Sequence, residues 1–404
     1  MIDIKQKSQI FEKGLHFLEK ENFRSHDVSD PYTSRFFKQI NGLKKVALIG
    51  KYLYYPFNLM VMHQRPLLSK ILGVKSHRQY PQAHAQIIRA LVSFSKSSSK
   101  LGYLEQAISL GEELIAMRSE QSKHYAWGQP FDWPSAAHIM KANTPRATVS
   151  SQCAMAFLDL YEISKEERYL DIASSVCQLF VEEFHQHLDE DGDICFSYTT
   201  QDQYIIHNAS MFAAAVLLRT NSHRKNAQWQ DLGLKAAQFT AKHQLKQGEW
   251  YYNADPKNLN TRVDNYHTGF VLESYLDIRD YANDFFKFEN VLNKGFEYYL
   301  KHFFTDNAAP RMSDHKTYPI DIQSAAQSII SLCRSKNKDH HRLAERVFAF
   351  SLNHLYNEKD SRYYYRIYKN GKTDKSSYIR WGDAWMLRAI AIMISENPES
   401  NNRI

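Results

Sequence analysis

The sequence predicts an all-α fold, an (α/α)6 toroid of helical hairpins with short β-hairpins in the long loops on one rim. Three observations lead there. Glycine (14) and proline (11) are scarce among 404 residues, too few turn-formers for an all-β chain of this length. Apolar residues recur at helical spacing, as in Ile87, Ile88, Leu91 and Val92. Above all, one unit repeats with a period of about 60 residues: helix, short turn, helix, long aromatic loop.

The elements follow in order. Residues 82–94 and 104–117 form the first predicted hairpin. The second is 148–162 and 169–184, joined by the short turn Ile163-Ser164-Lys165-Glu166-Glu167. The third is 208–220 and 226–243, the fourth 267–281 and 286–303, the fifth 322–333 and 341–355. A last helix, 383–395, has no partner after it; residues 6–20 or 34–55 are expected to supply one and close the ring. Residues 1–75 therefore read as an N-terminal helical segment packing on or closing the toroid, and 76–404 as the toroid itself. Short turns make neighbouring helices antiparallel. All long loops then share one rim, where a functional cleft is expected.

Composition narrows the function. Hydrophobic residues make up 43% and charged residues 24%, an ordinary globular balance. The net charge is +7, with the excess concentrated in Lys38, Lys44, Lys45, Lys51, Arg65, Lys70, Lys75, Arg78 and Arg89, read as a solvated basic face. No nucleic-acid motif accompanies it, so no nucleic-acid partner is expected; peripheral membrane association is admitted. The N-terminus does not read as a secretory signal, and the apolar stretch 46–62 is broken by Lys51, Pro56 and Asn58, so no membrane span is expected. Cys153, Cys177, Cys195 and Cys333 are dispersed, without a CxxC pair. A cytoplasmic location without disulfides fits this pattern. P-loop, GxGxxG, HExxH and GxSxG motifs are absent, and no cofactor or metal is expected. The acidic run Asp189-Glu190-Asp191-Gly192-Asp193 is too short for an EF-hand and reads as a turn.

Candidate site residues gather in five segments taken to be loop-to-helix junctions. They are Gly128-Gln129-Pro130-Phe131-Asp132-Trp133 (with Trp127 before it), Ile206-His207-Asn208-Ala209, Val263-Asp264-Asn265-Tyr266-His267, Asp321-Ile322-Gln323, and Arg380-Trp381-Gly382-Asp383. Trp250 and Tyr252 lie in the loop between the second and third of these. Asp264, Asp321 and Asp383 also suit N-caps. Capping alone does not call for a Trp, His or Arg beside each acid. Aromatic faces with carboxylates are what a sugar site needs, for stacking and for moving protons. Paired carboxylates suit glycosidic cleavage, and Asp132, Asp264, Asp321 and Asp383 offer several pairs. His207 and His267 are alternative proton carriers, Tyr252, Tyr266 and Tyr318 suit a lyase or epimerase, and Arg380 suits a uronate carboxylate. Asp264, His267, Asp321 and Asp383 are the expected catalytic set. Asp264 moves a proton or orients water, His267 is a neutral base held so by a helix N-terminus, and Asp321 or Asp383 is the opposing acid. Trp127, Phe131, Asp132, Trp133, His207, Asn208, Trp250, Tyr252, Asn265, Tyr266, Gln323, Arg380 and Trp381 are the expected substrate contacts.

The runs Trp127-Gly128-Gln129-Pro130-Phe131-Asp132-Trp133, Asp264-Asn265-Tyr266-His267-Thr268-Gly269, Ile320-Asp321-Ile322-Gln323-Ser324-Ala325 and Arg380-Trp381-Gly382-Asp383-Ala384-Trp385 resemble the VpsJ-type polysaccharide-biosynthesis proteins, which belong with the six-hairpin glycosidase-like toroids. The resemblance spans roughly residues 80–396. It implies a role in cell-surface or extracellular polysaccharide production. Toroids of this kind include hydrolases, uronate lyases and sugar epimerases, so a glycan ligand is implied more firmly than a reaction. The leading expectation is a hydrolase- or epimerase-type enzyme with a carboxylate-rich, aromatic-lined cleft. Its alternatives are a non-catalytic glycan-binding or assembly protein and a helical-repeat scaffold that binds protein.

Overall fold

The computed structural model describes residues 2–37, 77–97, 102–134, 139–255 and 261–396, with a few positions between 39 and 74. Among the described residues the long helices are α1 (Ile4–Lys20), α2 (Pro81–Ser95), α3 (Gly102–Ala116), α4 (Ala147–Ser164), α5 (Glu167–Glu182), α6 (His207–His223), α7 (Ala227–Lys242), α8 (Asn265–Tyr281), α9 (Glu289–His302), α10 (Ile322–Arg334), α11 (Lys338–Leu355) and α12 (Asp383–Ser395). The inner helices α2, α4, α6, α8, α10 and α12 each pack on the next, and α12 returns onto α2. The ring is closed. Helices α3, α5, α7, α9 and α11 lie outside their inner partners, and α1 packs on α12.

The burial pattern explains which helices go inside. An inner helix touches two inner neighbours and an outer one, so it needs apolar or small residues all round. In α6, 15 of 17 residues are buried, from His207 to Asn221. Outer helices carry a single stripe: α11 buries Ala344, Val347, Phe348, Phe350, Ser351 and Leu355. Helix α1 begins with a reciprocal Asp3–Gln6 capping box and buries Phe11, Leu15 and Leu18. Its buried Lys7 pairs with Glu345 of α11. The alternative partner, 34–55, lies mostly outside the described residues, as do Lys38, Lys44, Lys45, Lys51, Arg65, Lys70 and Lys75. The two described members of that basic set form no solvated face: Arg78 donates to Pro130 O (2.9 Å) and covers the Phe131 ring, while Arg89 is half-buried against Asp159 (3.0 Å).

The long loops carry the short strand pairs the sequence predicts: β1 (Trp133–Pro134) with β2 (Ile139–Met140), β3 (Gln186–Leu188) with β4 (Ile194–Phe196), and β6 (Tyr356–Asn357) with β7 (Arg362–Tyr363). The acidic run is the β3–β4 turn, and the Lys242 ammonium sits among Asp189, Asp191 and Asp193. The residue just before an inner helix pairs with the following loop. Arg146 bridges to Thr199, Ile206 to Asn253 and Asp264 to Ser313. In the same way Asp321, in β5 (Ile320–Asp321), pairs with Arg366 in β8 (Arg366–Ile367). This circumferential stitch fixes the junction side chains around the rim.

The opposite rim is closed by ions. Arg89 (α2), Asp159 and Glu162 (α4), Arg219 (α6), Glu273 and Asp277 (α8), Arg334 (α10) and Arg388 (α12) meet where the inner helices approach their short turns. Every inner helix contributes to this plug.

One backbone approach is tight enough to test. The segment 127–129 runs beside 143–146: Arg146 N–H donates to Trp127 O (3.0 Å) and Asn143 N–H to Gln129 O (2.7 Å). A Cβ on Gly128 would lie 2.1 Å from Thr144 O. Gly128→Ala is expected to cost about 1–3 kcal/mol of overpacking, read as a lower midpoint in denaturant unfolding.

Candidate active site

A cavity of about 620 Å³ opens among the long loops. That volume lies within the range of about 300–1,000 Å³ for ligand pockets. Trp133, Tyr204, Tyr252, Tyr266, Tyr365 and Trp381 give its wall aromatic faces. Asn208, Gln323, Gln129 and Gln82 add amide groups. Among the described residues the charged groups of the wall are Arg146, Arg262, Arg366 and Arg380, with His267 beside them. Among the described residues no carboxylate lines it.

The carboxylates stand one layer behind, each holding a lining cation. Arg380 donates from Nε (2.5 Å) and Nη2 (2.8 Å) to buried Asp27. Burial would raise the Asp27 pKa, but Arg380 and the Ser29 hydrogen bonds overcome it and hold it low. Arg366 Nε donates to Asp321 Oδ2 (2.6 Å), and Trp381 Nε1 donates to Asp321 Oδ1 (2.9 Å). Arg262 Nε lies 2.8 Å from Asp264 Oδ2 and stacks over Tyr252. Arg146 departs from the pattern. Among the described residues it has no carboxylate in salt-bridge range, and its Nε and Nη2 lack hydrogen-bond partners.

His267 is the proton carrier the cavity presents. It sits one turn into α8, its ring between Tyr252 (4.4 Å) and Tyr266 (4.3 Å). Asp264 is the N-cap of α8 and accepts from the His267 backbone N–H (3.1 Å). The same carboxylate lies 2.8 Å from His267 Nδ1. That bond assigns the proton to Nδ1 and leaves Nε2 as the basic nitrogen. Burial lowers the His267 pKa below its usual 6.5, with Asp264 pulling it back up. The expected helix-terminus effect is thus not the leading cause. Burial pushes Asp264 up, yet His267 and Arg262 hold it below its usual value. At pH 7 the pair is a neutral imidazole on an ionised carboxylate, the latter steadied by Arg262 and the His267 backbone N–H.

Of the expected site residues, the structure brings Phe131, Trp133, Asn208, Tyr252, Tyr266, His267, Gln323, Arg380 and Trp381 to the cavity wall. The others lie elsewhere. Asp264 and Asp321 are in the second layer, occupied by Arg262 with His267 and by Arg366 with Trp381. Both are N-caps; Asp321 also accepts from Gln323 N–H (2.8 Å). Asp383 is not a cap. Gly382 holds that position, and Asp383 accepts from Tyr363 N–H (2.8 Å) and the Ser377 hydroxyl (2.5 Å), facing a void beside α1. Burial raises its pKa. Asp132 accepts from Ala142 N–H (2.9 Å) within its own loop. The expected opposing acid is therefore absent from the wall formed by described residues.

Four more expected contacts belong to the packing. Trp127 is fully buried, stacks on Phe157 and donates to Leu114 O (2.8 Å). Trp250 donates to Thr240 O (2.9 Å). Asn265 accepts from the Tyr299 hydroxyl (2.8 Å) in the core. His207 lies behind the wall beside Thr240 and His243, where burial drives its pKa down to about 3. It stays neutral and out of reach of a ligand.

Comparison with known proteins places these geometries in a fold. No family model matches the chain, and no curated protein matches it. Solved structures do match. A cellobiose 2-epimerase from Bacillus thermoamylovorans aligns over 80% of this chain and 90% of its own, at 11% identity and TM-score 0.62. A GH76 α-mannanase from Bacteroides thetaiotaomicron aligns over 82% and 90%, at 14% identity and TM-score 0.62. An unsaturated glucuronyl hydrolase specific for heparin aligns over 79% and 87%, at 12% identity and TM-score 0.57. At such identities the likeness shows the shared (α/α)6 toroid and no more.

Sequence reasoning missed Asp27, Arg146, Arg262 and Arg366. Arg146 had a signal. It directly precedes α4, the place that Asp264 and Asp321 hold before α8 and α10. The segment 128–133, taken for that junction, lies earlier in the same loop. Arg366 had none, since its partnership with Asp321 depends on the register of two-residue strands.

Proposed function

We propose that the protein is a sugar-modifying enzyme of cell-surface or extracellular polysaccharide production, acting by proton transfer at a sugar carbon with His267 Nε2 as the base. The observation that carries this reading is the His267–Asp264 pair at an aromatic cavity whose described wall has no carboxylate. Aromatic rings offer stacking faces for pyranoses, and the amides and guanidinium groups offer hydrogen bonds to hydroxyls. Asp264 fixes the imidazole tautomer and stabilises the imidazolium formed when the base takes a proton. Glycoside hydrolysis by paired carboxylates needs two acids flanking the bond, and Asp321 and Asp383 are both tied elsewhere. The reaction class is therefore epimerisation, isomerisation or elimination. Toroids acting on carbohydrates, such as the cellobiose 2-epimerase, support the substrate class. The VpsJ-type motif resemblance supports the polysaccharide setting.

The missing carboxylate pair also favours a second reading, a glycan-binding protein without turnover. One experiment separates them. The purified protein is incubated with neutral and acidic exopolysaccharide fragments in water enriched in heavy oxygen. Proton-transfer chemistry gives new products that carry no solvent oxygen beyond the carbonyl exchange seen in a control without enzyme. Hydrolysis adds one water, and so one heavy oxygen, for each bond cleaved and contradicts the reading. Binding with no product supports the second reading.

A further inference from the structure

We infer that the sugar taken by this cavity carries an acidic group, and that Arg146 is the residue that holds it. The inference rests on the sugar-site reading and narrows it to anionic glycans. Among the described residues four guanidinium groups line the wall, and three have a buried carboxylate behind them: Arg262 with Asp264, Arg366 with Asp321, Arg380 with Asp27. Those pairs are internally neutral. Arg380, expected to grip a uronate, already spends its two-pronged fork on Asp27.

Arg146 is different in kind. It is only 5% exposed and lines the cavity. The Tyr198 side chain is its polar neighbour in the wall. The acid whose charge reaches it, Asp202, is used within its own loop by Tyr198 N–H, Tyr204 N–H and the Thr199 hydroxyl. Nε and Nη2 have no hydrogen-bond partner among the described residues. A buried guanidinium without a counter-charge costs stability unless something else supplies the negative charge. Burial, helped by the neighbouring Arg380, holds its pKa below the usual guanidinium value, against the pull of Tyr198 and Asp202.

The backbone keeps Arg146 in place regardless. Its N–H is bound to Trp127 O, and its position is bridged to Thr199. Its guanidinium lies 6.0 Å from the Trp133 ring centroid, an aromatic face beside the charge. A planar fork next to a stacking ring suits a pyranose bearing a carboxylate or a sulfate ester.

The test is binding, measured by calorimetry and by ligand-induced shift in melting temperature. The probes are a uronate-containing oligosaccharide and its carboxyl-reduced counterpart, and a sulfated oligosaccharide and its desulfated counterpart. The expected result is that an acidic probe binds the wild-type protein and its neutral counterpart binds about 10- to 100-fold more weakly. Arg146→Gln should erase that difference, while Arg146→Lys should keep part of it. Which acidic probe shows the difference identifies the group. The melting temperature of unliganded Arg146→Gln should stay level or rise, because an uncompensated charge is removed. A marked fall would instead make Arg146 a structural residue and overturn the inference. Equal binding of acidic and neutral probes overturns it too, and leaves the sugar site standing. Failure of all probes to bind overturns both.

Discussion

Glu273→Ala is expected to destabilise the protein by about 3–5 kcal/mol, the usual cost of removing one partner from a buried ion cluster. Glu273 is 1% exposed in the middle of α8. Its carboxylate pairs with Arg388 and accepts from Gln327 Nε2 (2.9 Å), with Arg89 (3.8 Å) and Arg334 (3.9 Å) around it. Burial would raise its pKa, but Arg388, Arg89 and Arg334 together hold it below the usual 4.5. Burial and Arg89 bring Arg388 down to about 10, against the pull of Glu273, so it is still charged at pH 7. Without Glu273, Arg388 would lose that pull and keep its burial. The sign of the pH effect follows. A carboxylate whose folded pKa is depressed stabilises the fold fully above its unfolded value and loses that contribution as pH falls below it. Wild-type stability should therefore decline from about pH 4.5 downward, and Glu273→Ala should show a shallower decline over the same window. Denaturant unfolding at stepped pH reads both effects.

His267→Gln is expected to lower kcat/KM by about 10²–10⁴, the range for loss of a positioned acid–base group. Sugar binding and melting temperature should change little, because the cap is the Asp264 carboxylate and not the imidazole. The wild-type kcat/KM should rise with pH through the His267 pKa, since the neutral form is the base, and that limb should lie below the ordinary value of 6.5. Asp264→Asn keeps a cap but removes the charge that raises the imidazole pKa. Its acidic limb should therefore move to lower pH while activity falls. An unshifted limb would mean that Asp264 does not act through His267.

Much of the fold was legible because a repeat of about 60 residues has one structural translation: a hairpin that buries its inner helix only when neighbours close around it. The starts at Pro81, Ala147, His207, Asn265, Ile322 and Asp383 follow that repeat. His267 was legible for a related reason. A residue three past a capping aspartate faces the same side as the cap. The acids were harder. Asp264 and Asp321 occupy N-caps, whereas Asp383 lies one residue inside its helix. One residue turns a side chain by about 100°, so similar-looking junction motifs send their carboxylates to different neighbours. Trp127 and Trp250 look like sugar platforms in sequence, but each indole N–H reaches a helix carbonyl in the core. Arg262 and Arg366 were hidden because their partners are set by loop pairing across the rim. Asp27 was hidden for another reason, since it reaches Arg380 only once the N-terminal segment has docked.

The central claim is that His267 takes a proton from a sugar carbon, and proton NMR in D2O with the turned-over glycan tests it most directly. The account predicts that one sugar C–H signal disappears as reaction proceeds, by exchange in an epimerised or isomerised product or by removal in an unsaturated one. In His267→Gln that loss should slow by the same factor as turnover. Product formation with every C–H signal retained, or at the wild-type rate in His267→Gln, would contradict it.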